Sequence, residues 1–223
     1  MNLSFIIPTL NEERTLLSNL IFLKRIRKYL NAELILVDGG SHDSTVNIAK
    51  TLSCNVYISE PSRSKQFNLG AKHARGKYLV FLHADTILDN DAIDHLKKIK
   101  KNTQWGFFSI KIKSNNCKYK ILSALINIRS RLFNYATGDQ VMIVENNFFY
   151  RVRGFKEIDL MEDIELSNRI KKLSNPSLIR GLAITSPRRW EKNGFFKTIL
   201  LMRFLRMLYF LGVNDKFLAS IYK

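Results

Sequence analysis

Short apolar runs alternate with stretches of helical periodicity through residues 1–100. The runs are rich in β-branched and aromatic residues and short enough for strands, and they occupy 4–7, 34–37, 56–58 and 78–82. Between the first two runs, Leu16, Leu20 and Leu23 repeat at the spacing of one helix face. This alternation of strands and helices predicts an α/β fold, with a mostly parallel sheet and helices on both faces.

Polar residues after the first two runs predict where helices begin. Thr9 and Glu12 have the spacing of a capping box before the first helix. Ser41 or Asp43 would cap the second helix.

The second half of the chain has a less regular pattern, without a repeat, a low-complexity tract or a linker. Two further strands are predicted, over 106–112 and 141–144. The further predicted helices are one over 65–75 that is stopped by Gly76, a basic amphipathic helix over 119–132 and an apolar helix over 195–211. One more helix is predicted to begin near Met161, with an apolar face of Ile164, Leu166, Ile170 and Leu173. We therefore expect a single domain, 1–223, that ends in a C-terminal amphipathic helix.

The sheet places several polar side chains together. Thr9, Asp38, Glu60 and Asp85 each follow a predicted strand. Ligands of such sheets bind beyond the carboxyl ends of the strands, so these residues are expected to face one crevice.

The amino-acid composition limits the classes of partner and the cellular compartment expected for the chain. The chain has 36 Lys and Arg against 19 Asp and Glu, a net charge of +17 that favours nucleotides, nucleic acid or acidic lipid. A genome rich in lysine and asparagine codons would give the same excess. Cys54 and Cys117 are too few for a disulfide scaffold and predict reduced thiols in a cytoplasmic protein. The first residues lack the basic leader of a signal peptide, and no apolar run is long enough to span a bilayer.

Basic residues cluster around the predicted third helix. Arg63, Lys65 and Arg75 surround Asn68, and cations near a helix start suit a diphosphate. A solvated basic loop is the structural alternative. Asp38 has two interpretations as well, because an Asp-Gly pair forms turns but a carboxylate there also accepts hydrogen bonds from a ribose or base.

Several residues after the fourth predicted strand have side chains suited to binding a metal ion, accepting a proton or binding phosphate. Asp85 at a strand end is a plausible ligand for Mg²⁺ or Mn²⁺, and His83 shares its face of the strand. Glu162 and Asp163 open a helix, where a carboxylate is stabilised as the anion that a general base must be, although simple capping explains them too. A final motif supplies an arginine clamp and a stacking or core tryptophan: Arg188, Arg189 and Trp190.

Taken together, these motifs resemble the inverting family 2 glycosyltransferases of GT-A, Rossmann-like fold. The matching stretches are SFIIPTLNEE, ILVDGG, SKQFNLGAKHARGKYLVFLHADT, LMEDIELS and PRRW, in family order between residues 3 and 190. Within the family, the chain is most similar to short bacterial enzymes associated with arsenosugar and radical-SAM gene neighbourhoods. The resemblance implies a nucleotide-binding half (1–100), an acceptor-side half (101–194) and a helical extension (195–223).

The resemblance also implies roles for individual residues. By this resemblance, the base and ribose of the donor bind to Pro8, Thr9, Glu12 and Asp38. Lys65 binds the donor diphosphate. The other residues expected beside the nucleotide are Asn68, His83, Arg189 and Trp190. Asp85 matches the last carboxylate of the Asp-x-Asp metal motif, and Asp163 matches the acceptor-activating base, with Glu162 beside it. His83 replaces the usual first Asp, and Ser186 stands where processive relatives have Gln.

The expected activity is a metal-dependent hexosyl transfer from a nucleotide-diphosphate sugar to a hydroxyl acceptor, with inversion. The alternatives are a nucleotidyltransferase, whose Gly-rich phosphate loop is absent from the sequence, and a basic nucleic-acid-binding module, for which no motif is present. Nucleic acid is therefore not expected as a partner. The apolar helix over 195–211 contacts the core, a second copy in a homodimer, or an anionic membrane at which the protein would be peripheral.

Overall fold

The computed structural model describes residues 1–222. The strands are β1 (Leu3–Thr9), β2 (Ala32–Asp38), β3 (Asn55–Ile58), β4 (Tyr78–Phe81), β5 (Ile87–Leu88), β6 (Trp105–Ile112), β7 (Met142–Glu145) and β8 (Ser177–Thr185). The helices are α1 (Glu13–Leu30), α2 (Thr45–Thr51), α3 (Arg63–His73), α4 (Asn90–Lys97), α5 (Cys117–Phe133), α6 (Asn146–Arg151), α7 (Glu162–Ile170), α8 (Arg188–Asn193), α9 (Phe195–Phe210) and α10 (Asp215–Tyr222). A short 3-10 helix, Gly138–Gln140, precedes β7.

Within residues 1–222, eight strands form one sheet in the order β3-β2-β1-β4-β7-β6-β8-β5. The first four strands in this order run parallel, as predicted. β7 lies antiparallel between β4 and β6, whereas β8 runs parallel to β6 and antiparallel to β5. The predicted α/β class with a mostly parallel sheet is therefore confirmed.

Alternating side chains of the sheet supply two hydrophobic layers, because successive residues of a strand point to opposite faces. In β1, Phe5 and Ile7 join the layer covered by α1, α2 and α4. Ile6 points the other way, into the layer covered by α3, α6 and α7. Helices on both faces thus leave the carboxyl ends of β1, β2 and β4 at one edge, which positions the site.

The predicted capping box at the start of α1 is wrong. Thr9 is the last residue of β1, and Glu12 at the N-cap makes no side-chain capping bond. Asp43 instead serves both helices that begin here: its carboxylate accepts hydrogen bonds from Glu13 N (3.2 Å) and Thr45 N (3.0 Å). The N-cap of α2 is Ser44, so neither predicted cap of this helix is right: Asp43 lies one residue before the cap, and the Ser41 hydroxyl accepts from Asn11 N.

Two predicted helix ends also differ. α3 ends at His73, and Gly76 is not a left-handed stop. Gly76 instead lies against β1, where an added Cβ would be 2.6 Å from Ser4 N, so close approach explains the glycine. α7 ends at Ile170, and Leu173, predicted to continue its apolar face, is exposed.

The predicted apolar helix over 195–211 is present as α9 and is followed by α10. Leu205 of α9 and Leu218 of α10 are buried in a small cluster with Leu160, Met161 and Ile164. One side of α9 therefore packs on the domain, as one of the predicted alternatives required. Among the helices described, none is long and apolar enough to cross a membrane.

Candidate active site

Asp38 organises the loop that follows β2. Its carboxylate is completely buried and accepts four hydrogen bonds: from Thr9 Oγ1 (3.0 Å), Ser41 Oγ (2.5 Å), Ser41 N (2.7 Å) and Gly40 N (2.9 Å). The ends of β1 and β2 therefore meet, as the sheet argument predicted. The Asp38 carboxylate shapes the loop, and ribose or base binding through it stays a prediction.

Arg188 joins the ends of three strands. It follows β8, and its guanidinium donates two hydrogen bonds to the Glu12 carboxylate, at 2.9 and 3.0 Å. The same guanidinium lies 3.8 Å from Asp85 Oδ2, beyond β4. Because Arg188 is about half exposed, this bridge is open to solvent and leaves a cation within reach of an anionic ligand.

Asp85 is a desolvated carboxylate without a strong partner. Burial, followed by the charge of Asp139, raises its pKa above the ordinary value of an aspartate, although His83 and Arg188 oppose this. A bound cation would relieve both effects. His83 Nε2 is buried without a hydrogen-bond partner, and Nδ1 lies 3.5 Å from Asp139 Oδ1.

These residues fit a divalent ion that takes its remaining ligands from phosphate. In the described chain, no group of three His, Cys, Asp or Glu side chains is arranged around a common point for a metal. Mg²⁺ needs fewer from the protein, because it is commonly held by one or two carboxylates plus the phosphates of a substrate. Asp85, with Asp139 and His83 near it, offers that number.

Asp163 is fixed at the start of α7. Met161, at the N-cap, has a left-handed backbone (φ 68°), which turns the chain so that both following carboxylates enter the site. Asp163 Oδ2 accepts from Gly138 N at 2.5 Å and Oδ1 accepts from Ile164 N at 2.7 Å. Burial raises the pKa of Asp163, and burial together with the Asp163 charge raises the pKa of Glu162. The sequence predicts that the helix start stabilises the anion, but burial outweighs that effect. A carboxylate with a raised pKa and fixed oxygens is suited to take up a proton.

The 3-10 helix before β7 supplies parts of the site that the sequence did not predict. A Cβ on Gly138 would lie 2.6 Å from His83 Cε1, so only glycine lets this turn reach both His83 and Asp163. Asp139 follows, and although burial raises its pKa, the hydrogen bond and charge of His83 and the charges of Arg63 and Arg189 lower it overall. Asp139 therefore stays an anion within a cationic group.

One cavity of 880 Å³ joins part of this charged group to an apolar wall, and neither Asp85 nor Arg188 is among its described lining residues. Its charged lining includes Arg63, His83, Asp139, Glu162, Asp163 and Arg189. Its apolar lining comes mainly from α5 and α9. The volume is in the range of sites that enclose small molecules.

The other predicted residues lie around this cavity or apart from it. Lys65 forms an ion pair with Glu60 in a separate, shallow pocket, and it is Arg63, also on α3, that lines the main cavity. Asn68 brackets the backbone of Phe155, accepting from its N at 2.9 Å and donating to its O at 2.8 Å.

Arg189, Trp190 and Pro8 complete the predicted set. Arg189 lines the cavity, with its guanidinium 4.2 Å from the centre of the Tyr222 ring. Trp190 lines it too, and packs edge-on to Tyr119 at 6.3 Å in a small hydrophobic cluster. Pro8 is a residue of β1 paired with Val37. Nucleotide binding by each of them stays a prediction.

Comparisons with known proteins agree on one family for this chain. The profile named glycosyl transferase family 2 matches residues 4–159, more than two thirds of the chain. An uncharacterised glycosyltransferase of Haemophilus influenzae is 30% identical over 104 residues, which cover 41% of this chain and 39% of that protein. A poly-beta-1,6-N-acetyl-D-glucosamine synthase of Staphylococcus epidermidis is 31% identical over 111 residues, or 47% of this chain and 27% of the synthase. The chain thus spans less than half the length of these two relatives.

Solved structures show the same architecture. The structure of S. aureus TarS 1–349 in complex with UDP-GlcNAc superposes with a TM-score of 0.65 at 16% identity, covering 83% of this chain and 58% of that one. The mannosyltransferase PcManGT of Pyrobaculum calidifontis, in complex with GDP-Man and Mn²⁺, gives a TM-score of 0.58 at 17% identity, covering 82% and 56%. At such identities the likeness shows the fold, and the predicted GT-A fold is confirmed.

Proposed function

The chain belongs to glycosyl transferase family 2, and on that premise we propose that it transfers a sugar from a nucleotide-diphosphate sugar to a hydroxyl acceptor, with inversion at the anomeric carbon. The observation that carries the proposal is the position of Asp163, a desolvated carboxylate on the wall of a cavity that also holds cations. The profile match ends before this residue, so its role rests on its geometry and on the sequence resemblance.

The step needs one base. The acceptor O–H attacks the anomeric carbon from the side opposite the leaving group, and its proton passes to Asp163. A new C–O bond forms as the bond between the anomeric carbon and the donor phosphate oxygen breaks. The electron pair of that bond leaves with the nucleoside diphosphate. Attack from the opposite face by a single nucleophile inverts the configuration.

Cations of this chain would receive the negative charge of the leaving group. Arg63 and Arg189 line the cavity, and Arg188 lies 3.8 Å from Asp85. Preorganised positive charge at the leaving group lowers the barrier more in a desolvated site than in water. Asp85 would hold a Mg²⁺ or Mn²⁺ together with the donor phosphates, and that ion would neutralise diphosphate charge when bound.

Product analysis tests the proposal. Wild-type protein is incubated with UDP-, GDP-, CDP-, ADP- and dTDP-sugars, and nucleoside diphosphate release is measured with and without Mn²⁺. We expect release from one donor class, at least ~10²-fold slower in Asp163→Asn. Pyrophosphate as the product would indicate a nucleotidyltransferase. No turnover, together with salt-dependent binding of DNA or RNA, would indicate the nucleic-acid-binding alternative.

Inversion has its own test. The anomeric proton of the glycoside product has a coupling constant that distinguishes the two configurations by NMR. We expect the configuration opposite to that of the donor, and a product that keeps the donor configuration would contradict the single-displacement step. The resemblance to a short bacterial subgroup stays a prediction on which this step does not depend.

A further inference from the structure

One face of α5 is apolar and uncovered. Ile121, Leu125, Ile128 and Leu132 repeat at i, i+4, i+7 and i+11, which places them in one stripe along the helix. Their exposed fractions are 56, 50, 55 and 72%. The opposite face of the helix, with Tyr119 and Ser123, is buried, and the Ser123 hydroxyl accepts from Ile112 N of β6 at 3.1 Å. The apolar stripe therefore does not contribute to the packing of α5 on the sheet.

A second apolar stripe lies on α9 and faces the same cavity. Phe196 and Leu200 are exposed, and Ile199 and Met202 are partly buried beside them. All four line the cavity together with the α5 stripe. Because Glu162 and Asp163 line that same cavity, the apolar groove between α5 and α9 opens directly onto the proposed base.

The cavity also has a cationic lining beyond the apolar stripes. Lys118, Arg129, Arg203 and Arg206 line the cavity in addition to the arginines already described. Among these cations, Arg129 is the best candidate to bind an anion, because its Nε is buried without a hydrogen-bond partner. Its NH2 group donates only to Ser130 Oγ, at 3.3 Å, and its guanidinium carbon lies 5.1 Å from the Tyr135 ring centre. Burial lowers the pKa of Arg129, whereas Tyr135, Asp163 and Asp139 raise it, which is consistent with its place beside the base.

We propose that the acceptor is an anionic lipid: a hydroxyl-bearing head group joined through a phosphate to an apolar chain. The chain would lie between α5 and α9, the phosphate would contact Arg129 and Arg206, and the hydroxyl would reach Asp163. This inference rests on the transfer reaction proposed above and names its acceptor class. A second copy of the protein fits less well, because each copy carries a net charge of +17 and a cationic groove.

Binding of a lipid fragment tests the groove. The probe is dodecyl methyl phosphate, a diester with the linking phosphate and the chain but no hydroxyl, measured by titration calorimetry below its critical micelle concentration. We expect it to bind at least ~tenfold more tightly than dodecyl maltoside, which has no charge, or dimethyl phosphate, which has no chain. Equal binding of the charged and neutral amphiphiles would overturn the phosphate contact.

Variants locate the site of binding. Leu125→Gln and Leu200→Gln, both at exposed positions that tolerate a polar side chain, should each weaken the probe by about tenfold, and Arg129→Gln should do the same. The matched control is Leu17→Gln on α1, which is as exposed as Leu125 but lies outside the cavity, and it should bind as the wild type does. Equal loss in the control, or no loss in the groove variants, would overturn the assignment.

Donor hydrolysis separates this inference from the proposed reaction. Saturating probe should suppress the slow transfer of the donor sugar to water in the wild type, because it fills the cavity at Asp163. Leu17→Gln, outside the cavity, should keep the basal hydrolysis rate and show the same suppression. Tight probe binding without suppression would place the lipid away from the base and overturn its role as acceptor. Absence of hydrolysis with every donor would instead contradict the proposed function.

Two further measurements address other occupants of the groove. If Leu125→Gln converts a dimer to a monomer in sedimentation velocity, a second copy covers the groove and the proposal fails. If the wild type pellets with phosphatidylglycerol vesicles but does not bind the monomeric probe, α5 and α9 contact a membrane surface and the proposal fails as well. A monomer that binds the probe in solution supports it.

Discussion

Replacing Asp163 with asparagine removes the proposed base and leaves the size of the side chain unchanged. Both carboxylate oxygens accept a backbone hydrogen bond, from Gly138 N at 2.5 Å and from Ile164 N at 2.7 Å. An asparagine has one acceptor oxygen, so whichever way the amide is turned, one backbone N–H meets an NH2 group. That loss costs about 1–3 kcal/mol of folding stability. It is opposed by relief of the buried charge, because burial disfavours the anion at this position.

The catalytic effect should be much larger than the effect on stability. A positioned general base contributes ~10²–10⁴-fold to a rate, so single-turnover transfer should fall by that factor while donor binding is retained. The matched control is Asp159→Asn, an exposed carboxylate four residues earlier, which should transfer at the wild-type rate. Transfer in Asp163→Asn within a few-fold of wild type would refute the assignment. A parallel loss of donor binding would show that the residue is structural.

The same residue predicts opposite pH dependences for activity and stability. Since burial raises the pKa of Asp163 in the folded protein, transfer should increase as the pH rises through that raised pKa. An aspartate whose pKa is higher when folded stabilises the protein below its unfolded pKa, and this contribution is lost as the pH rises through the folded value. Rate profiles and thermal unfolding at pH values above the ordinary pKa of an aspartate check both slopes, and an increase of stability with pH through the acid limb of the rate profile would contradict the burial argument.

Three other substitutions have defined outcomes. Gly138→Ala would force the His83 ring to move from a mostly buried position. Turnover should therefore fall by up to about 10²-fold, and the folded protein should lose about 1–3 kcal/mol of stability. Normal kinetics would show that the ring moves freely. Glu162→Gln removes a like charge beside the base, so the acid limb of the rate profile should move to lower pH, and an unmoved limb would mean that the two carboxylates do not interact. Arg188→Ala breaks a half-exposed bridge to Glu12 and should change stability by no more than about 1 kcal/mol while raising the donor KM; an unchanged KM would assign the bridge a structural role.

The first half of the fold could be predicted because its signals are local. Each of the runs at 4–7, 34–37, 56–58 and 78–82 became a strand, and parallel order alone brought Thr9 and Asp38 into contact. β8 was missed, because Arg180 and Gly181 interrupt its apolar pattern and its main partner, β6, is distant in sequence. The antiparallel β7 had a visible apolar run, but its direction depends on pairing with β4 and β6, which no local pattern predicts.

The site could be predicted only where a motif marks it. Glu162, Asp163, His83, Arg189 and Trp190 all line one cavity, whereas Asp85 and Lys65 are not among its lining residues. Asp139 has no such signal and reaches the site through a tight turn that tertiary packing fixes.

The two cations of α3 illustrate the limit of the sequence. Arg63 and Lys65 are two residues apart and point to different sides of the helix. Burial of Phe67 and Ala71 against the sheet sets the rotation of the helix, and only then is Arg63 in the cavity and Lys65 beside Glu60.

Nucleotide binding, measured as a thermal shift with UDP, GDP, CDP, ADP and dTDP, each with and without Mn²⁺, tests the proposed donor site. A ligand at ~100 times its dissociation constant adds about 2.7 kcal/mol to the free energy of unfolding. We predict a Mn²⁺-dependent shift with one nucleotide that is lost in Asp85→Ala and kept in Asp91→Ala, an exposed carboxylate on α4. No shift with any nucleotide, or the same shift in Asp85→Ala, would contradict a donor site at the carboxyl ends of the strands.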